Sequence, residues 1–493
     1  MIFGIYYMNY ITRIMPYLFT YLYYAVHIFI SNALRSQVRQ KYSSNSNNER
    51  LKFMNDWKQY YKDHLVTMHE ASMAIKPGDR LWVGQATQIP YAFLDEMYSH
   101  MDDYHDIMIM YNVAVAPFEM LFDVETKKHF RLMSAFCLPL ERIAGSMGIM
   151  EYCGFNFDQL AKGPFVYGAN TLAVQICPPD ENGYCNIGNY GVSVNKVISQ
   201  RPEITKRIAF IDPTGICPVK GDVKDTCIHI TEFAYIVENP TELMGVPAPQ
   251  PQEIDKIMAS YILPYIHPGD KVQIGYGGLG EEILANLRDI GKIEIYSEVA
   301  CDNMAQLCRE GVITKIVAAS PGACTEEFFK FCYDDPRADL ISLEYTINPL
   351  EIMKQDNLVA INATFMIDLI GQCCSEAQGM VPYSGTGGTF AYQYGSISAK
   401  GGRSFICLRS TFVDHDGETH SNVVPWLPEG SIVTTLKNFV MYVVTEHGVA
   451  DVYLRTLRDR VKALIKIAHP DFRQWLKEKI TTTPIISMED FED

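Results

Sequence analysis

The sequence predicts an α/β protein of two similar open domains with mostly parallel sheets, and three observations carry that reading. From Met54 onward, helix-like and strand-like segments alternate in the rhythm of βαβ units. A break at residues 246–252 (VPAPQPQ) places three prolines in five residues, a stretch that cannot continue a helix or an interior strand. After it the same rhythm restarts. The boundaries are therefore an atypical extension at 1–53, a first domain at 54–245, a linker at 246–252 and a second domain at 253–493.

In the first domain, 55–64 reads as a helix, 80–85 (RLWVGQ) as a strand, 90–101 as a helix with proline at its start, and 106–113 as a strand. Further strands fall at 172–176, 207–211 and 229–237. The second domain opens with a helix at 253–266, followed by strand 271–275, helix 281–287, strand 292–296, helix 304–310, strand 316–319 and helix 326–333. Apolar strand-like runs come next at 358–370, 404–408 and 432–436. An amphipathic structural helix starts at Thr456, with Leu457, Val461, Leu464, Ile465 and Ala468 on one face.

The 493 residues are 48% apolar and carry a formal charge of -16, a balance that argues against a nucleic-acid partner. Thirteen cysteines without any C-x-x-C spacing read as small buried hydrophobes in a reducing compartment. No metal site is expected from spacing. Cytoplasmic localisation is the expectation, with organelle targeting or membrane anchoring through 1–53 as the alternative. That extension holds six basic residues and one acid, Glu49, and its stretch 14–31 has no charged side chain. It can be a membrane anchor, a cleaved targeting segment or an upstream stretch ahead of a start at Met54. Its composition and the polar run 42–48 (YSSNSNN) favour the last, so a chain beginning at Met54 is expected to be soluble and active.

Two glycine loops stand out. Gly275-Tyr276-Gly277-Gly278-Leu279-Gly280 is a formal G-x-G-x-x-G between a strand and a helix, and the next strand ends in Glu298, eighteen residues past Gly280. Taken alone, this is either a dinucleotide fingerprint with its ribose acid or a tight strand-to-helix turn. The second loop, Tyr383-Ser384-Gly385-Thr386-Gly387-Gly388-Thr389, lies between two strand-like runs and has no place in a nicotinamide fold. Two such loops and one strand-end carboxylate suit the gripping of a thioester, with loop amides on the oxyanion and a Glu as nucleophile. Ordinary turn glycines are the alternative.

Eight blocks in order resemble the acetyl-CoA hydrolase/transferase family of class I coenzyme A transferases, especially its butyryl-CoA:acetate and 4-hydroxybutyrate CoA-transferases. They are MNDWKQYYKDHLVT with IKPGDRLWVG, CPPDENGYCNIG, VQIGYGGLGEEIL, IEIYSEVACDNMAQLCREGVI, YSGTGGTFAY, SAKGGRS, YVVTEHGVADV and IAHPDFRQWL, spanning residues 54–476. The resemblance implies a CoA-transferase-like fold with its active site in the cleft between the domains. It implies Glu298 as nucleophile, within an I-x-S-E-x-x-x-D pattern that includes Asp302. The first coenzyme A loop then falls on Gln273, Ile274, Gly275, Tyr276 and Gly277, the loop that helps hold the acyl oxygen on Gly385, Gly387 and Gly388, and a further coenzyme A contact on Lys400. Thr389 and Ala391 depart from the usual Gln and Asp of the second loop, and Gly280 stands where Pro is common.

The implied reaction is a ping-pong transfer of coenzyme A between a short-chain acyl-CoA and a carboxylate such as acetate, through a glutamyl-CoA thioester. Coenzyme A is substrate and covalent intermediate, with no permanently bound cofactor, and a homo-oligomer is expected. The nucleophile is expected to be an unperturbed carboxylate, ionised at pH 7. An acyl-CoA hydrolase differs only in admitting water. An NAD-binding oxidoreductase is disfavoured because no catalytic His/Arg/Asp set accompanies the first loop, and a membrane-tethered binding protein is disfavoured by Glu298 itself. His447 and His469 read as capping or packing residues, and Asp180 and Glu181 as turn acids.

Overall fold

The computed structural model describes residues 56–243, 249–322 and 324–492. The apolar stretch 14–31, the boundary at 53 and the start of the proline-rich break lie outside the described residues. The chain divides into two compact units, Met1–Asp63 and His64–Asp493. A helix at Trp57–His64 is what is described of the first, and the second holds both sheets.

The first sheet contains β1 (Arg80–Gln85), β2 (Ile107–Asn112), β3 (Phe130–Ser134), β4 (Met150–Tyr152), β5 (Thr171–Ile176), β6 (Lys206–Ile211) and β7 (Tyr235–Glu238). Their order is β4-β3-β2-β1-β5-β6-β7, and every pair is parallel. β2 and β5 are buried along their whole length, as strands covered on both faces must be.

The second sheet contains β8 (Lys271–Ile274), β9 (Ile293–Ala300), β10 (Ile313–Pro321), β11 (Ala338–Leu340), β12 (Leu358–Ala363), β13 (Arg403–Cys407), β14 (Tyr442–Thr445) and β15 (Gly448–Asp451). It runs β11-β10-β9-β8-β12-β13-β14-β15 and is parallel throughout except for the closing β14/β15 hairpin. The seven-strand order of the first sheet is thus repeated. In each, strand order reverses beside the first strand, the position where an open α/β sheet leaves a crevice at its carboxyl edge.

Several elements differ from the sequence expectation. β3 and β4 have no counterpart in it, because FRLMS and MEY are too short to show a strand period. The run 229–237 is broken. Cys227–His229 pairs antiparallel with Tyr184–Asn186, a 3-10 turn follows at Ile230–Glu232, and only then does β7 begin. The run 358–370 also splits, since β12 ends at Ala363 and Met366–Asp368 joins a small separate sheet with Val423–Val424 and Cys373–Cys374. Residues 432–436 form no strand, and Thr435 makes one isolated bridge to Cys373. On the helix Leu457–Ile467, Leu457 is exposed, while Arg460 is buried and donates to the carbonyls of Lys437 (2.7 Å) and Ile370 (3.2 Å). All thirteen cysteines are free thiols, and only Cys217 and Cys227 are half-buried rather than buried.

Candidate active site

Glu298 sits in β9, between β8 and β10 and third of the eight strands of the second sheet. Side chains alternate along a strand, so Glu298 and Val299 leave opposite faces of it. Glu298 as a residue is partly exposed, its carboxyl group is the desolvated part, and among the described residues no hydrogen bond or ion pair reaches it. Burial alone pushes its pKa up to about 7. This corrects the expectation of an unperturbed carboxylate: burial strips water from the group, no protein partner replaces it, and the charged form is disfavoured.

The second glycine loop meets Glu298 directly. A Cβ on Gly388 would lie 2.5 Å from Glu298 Oε2, and 3.4 Å from Ile347 Cγ2. Gly388 is the N-cap of the helix Thr389–Ser398, so the loop delivers the positive end of a helix to the carboxylate rather than joining two strands as expected. Gly387 adopts φ +64°, a left-handed conformation that favours glycine, and a side chain on Gly385 would run into the Ala135 carbonyl.

That close approach is how the first half of the unit holds the loop. Cys137 N donates to Ser384 Oγ (3.1 Å) and Phe157 N to the Gly387 carbonyl (3.4 Å). The Arg142 guanidinium stacks on the Tyr383 ring at 3.7 Å and donates to its hydroxyl at 2.7 Å. Beneath this cradle lies the fully buried Glu141, which accepts from the amides of Ala114 and Leu138 (both 2.6 Å). Burial outweighs those bonds and holds its pKa at about 7. The carboxylate of one sheet and the supports of the other thus converge on one loop.

The first glycine loop has a different setting. β8 ends at Ile274, and the following helix, Gly278–Asn286, begins three residues earlier than expected. Gly280 lets that helix pack on the strand, since a Cβ there would come within 2.6 Å of both the Gly275 carbonyl and Ile274 Cγ2. Gly275, Tyr276, Gly277, Glu281, Val299 and Cys301 border a shallow open depression. Gln273 is buried with its amide spent on Asn362 (2.8 and 3.2 Å), and Ile274 is a buried residue at the depression's floor. Glu281 faces the depression with its pKa raised by burial and accepts a hydrogen bond from Asn303. Val299, Ala300 and Cys301 all border this depression, so it lies at the carboxyl end of β9, just past Glu298. The first loop thus borders a depression at the carboxyl end of β8 and β9, while the second meets the Glu298 carboxylate.

Lys400 is not brought to the group. It is exposed beyond the far end of the helix that starts at Gly388, and its carbonyl accepts from Asn357 N (2.8 Å) at the amino edge of β12. Ten helical residues put it about 15 Å from Gly388. Asp302 opens the helix Asp302–Arg309 and accepts from the Thr325 amide (3.0 Å) and hydroxyl (2.8 Å). His469 caps the helix Pro470–Ile480, with the His447 ring against it at 5.3 Å. Asp180 closes a turn by accepting from the amides of Asn182 and Tyr184. Sequence reasoning missed Ile347 and the cradle of Ala135, Cys137 and Phe157, which carry no local motif and become visible only once the chain is folded.

Two repeated parallel sheets, with an unpaired carboxylate in one and a glycine loop pinned against it by supports from the other, define an α/β protein whose candidate active site is the Glu298–Gly388 contact. The family model for the acetyl-CoA hydrolase/transferase C-terminal domain matches residues 324–480. The 4-hydroxybutyrate coenzyme A transferase of Clostridium kluyveri is 32% identical over 434 residues, covering 85% of this chain and 98% of that protein. The butyryl-CoA:acetate CoA-transferase of Anaerostipes caccae is 28% identical, covering 85% and 96%. Among solved structures, RipA from Yersinia pestis superposes with a TM-score of 0.77 at 26% identity, over 87% of this chain and 99% of that one. The 4-hydroxybutyrate CoA-transferase of Porphyromonas gingivalis gives 0.69 at 25% identity, over 86% and 99%. The chain belongs to the acetyl-CoA hydrolase/transferase family and is an enzyme of the CoA-transferase class. Among the described residues no helix is long and apolar enough to cross a membrane.

Proposed function

We propose that the protein moves coenzyme A between a short-chain acyl-CoA and a carboxylate such as acetate, with Glu298 as the nucleophile. Glu298 attacks the thioester carbonyl, and the negative charge that develops on the acyl oxygen is met by the amides at Gly388, at a helix N-terminus. Collapse expels the coenzyme A thiolate and leaves an acyl-glutamyl anhydride. The thiolate then attacks the glutamyl carbonyl, releases the acyl group as its carboxylate and leaves a glutamyl-CoA thioester. An incoming carboxylate reverses these steps and departs as the new acyl-CoA.

The observation that carries this reading is the contact between Glu298 and Gly388. The raised pKa fits it too, because a desolvated carboxylate without a counter-ion is a less stabilised and hence more reactive anion. The buried Ile347 beside both residues supplies an apolar wall and no positive charge, which suits a small uncharged acyl group. Gly275, Tyr276 and Gly277 offer a depression at the carboxyl edge of the sheet for the coenzyme A portion, reached over the end of β8.

The test is to incubate the protein with butyryl-CoA alone and map the covalent adduct. Coenzyme A mass on the peptide containing Glu298, discharged on adding acetate with formation of acetyl-CoA, is the expected result. An adduct elsewhere overturns the assignment of the nucleophile. Steady release of free coenzyme A without any acceptor overturns the transferase reading in favour of hydrolysis.

A further inference from the structure

Far from the glycine loops in sequence, three side chains on the first half of the unit converge with the chemistry of a metal centre. His69 lies on the short helix Met68–Met73, Glu96 on the helix Tyr91–Ser99, and His100 is the C-cap residue of that second helix, four residues beyond Glu96. His69 Nδ1 is 2.9 Å from Glu96 Oε1, and His100 Nε2 is 3.3 Å from the same oxygen. One donor atom from each of the three lies within 4.8 Å of the other two. The two imidazole rings meet edge to face with centroids 4.8 Å apart. Among the described residues no other group of three such side chains comes together so closely.

We propose that His69, Glu96 and His100 form a divalent-metal site of the zinc type that clamps these two helices together. Two imidazoles and one carboxylate are a common zinc donor set, and zinc bonds of about 2.0–2.2 Å fit between donors at these separations with a fourth position left to water. The backbones that present the donors are fixed from below. Ala71 and Ser72 of the first helix and Phe93, Leu94 and Met97 of the second are fully buried, so the ligands need only rotamer adjustment to close on an ion. The exposed position gives the ion direct access from solvent, because the His69 side chain is 55% and that of His100 39% accessible. Sequence spacing gave no hint of it, since His69 stands 27 residues before Glu96 on a separate helix.

The experiment is a titration of the metal-free full chain with zinc chloride by calorimetry, in parallel with His69→Ala, His100→Ala and Glu96→Gln. All three positions are at least partly exposed, so unchanged melting without metal is the check that each variant folds. The wild type is expected to bind one more zinc ion per chain than any variant, with each variant weakened on the order of tenfold to a hundredfold at that site. Zinc is also expected to raise the wild-type melting temperature and not that of the variants, because binding to the folded state alone stabilises it. Equal stoichiometry and affinity in wild type and variants, as thiols or other histidines would give, overturns the proposal. So does the lack of any wild-type binding at 100-micromolar zinc.

Discussion

Gly388 and Glu298 stand so close that a Cβ on the glycine would lie 2.5 Å from the glutamate's Oε2. The glycine is not there for backbone freedom, because its φ of −95° is open to any residue. It is there for space beside the carboxylate, and that makes Gly388→Ala a clean probe. The variant is expected to fold with an unchanged melting temperature while kcat falls on the order of a hundredfold, the scale of one displaced oxyanion donor. Steady-state kinetics with butyryl-CoA and acetate read this directly. A variant that raises KM alone, or unfolds, would assign the loop to binding or to folding instead.

Glu298 sets activity against stability. Its folded pKa of about 7 exceeds the unfolded value of about 4.3, so its contribution to stability is present below the lower value and lost as pH rises through the upper one. Glu298→Gln is therefore expected to abolish exchange yet melt higher than wild type at pH 8, with the gap narrowing towards pH 5. The ionisation penalty removed at pH 8 is on the order of 3–4 kcal/mol. Melting curves across that range decide it, and a gap independent of pH would show that the carboxylate is not desolvated in the folded state.

The same ionisation governs rate with the opposite sign. Attack needs the carboxylate, so kcat/KM for acyl-CoA is expected to climb with pH through about 7, reaching about a tenth of its plateau one unit below. A profile flat between pH 5.5 and 8 would place the controlling group elsewhere.

What the sequence disclosed about this site follows from where each signal resides. Glu298 and Gly388 sit inside local patterns, a strand followed by acid and a glycine loop, and both could be named before folding. Their contact could not, because it depends on how the helix Thr389–Ser398 packs on β12 and β13. In sequence, Glu298 directly precedes Val299, Ala300 and Cys301, which border the depression beside the first glycine loop. The repeated sheets were legible because each strand carries its own apolar run. β3, β4, β11, β14 and β15 were not, each spanning only three to five residues, and 358–370 divides because its apolar residues serve two sheets.

Ile347 is the side chain best placed to measure the acyl group. It is fully buried, with its Cγ2 and Cδ1 3.4 and 3.6 Å from the Cβ position of Gly388. Ile347→Val removes one methyl group from that wall at a stability cost of about 0.5–1.5 kcal/mol. The ratio of kcat/KM for butyryl-CoA over acetyl-CoA is expected to rise roughly tenfold, as one methylene's worth of room allows. Competition between the two substrates measures the ratio, and no change in it would remove Ile347 from the acyl pocket.

Lys400 supplies the test in which family resemblance and geometry disagree. Resemblance places it near coenzyme A, where its loss should weaken binding. In the fold, the helix that starts at Gly388 carries the chain away from Glu298 for ten residues before Lys400 is reached, and Lys400 then lies at the amino edge of β12 and β13, whereas the depression and Glu298 lie towards the carboxyl edge. Its tie to the neighbouring chain is through its backbone carbonyl, which accepts from Asn357 N at 2.8 Å and survives truncation of the side chain. Lys400→Ala is accordingly expected to leave kcat and KM for acyl-CoA within about twofold of wild type, as for an exposed substitution away from a site, with stability changed by no more than about 0.5 kcal/mol. A KM raised tenfold, at normal kcat and undisturbed folding, would show that coenzyme A extends to the amino edge of the sheet and restore the lysine to its binding site.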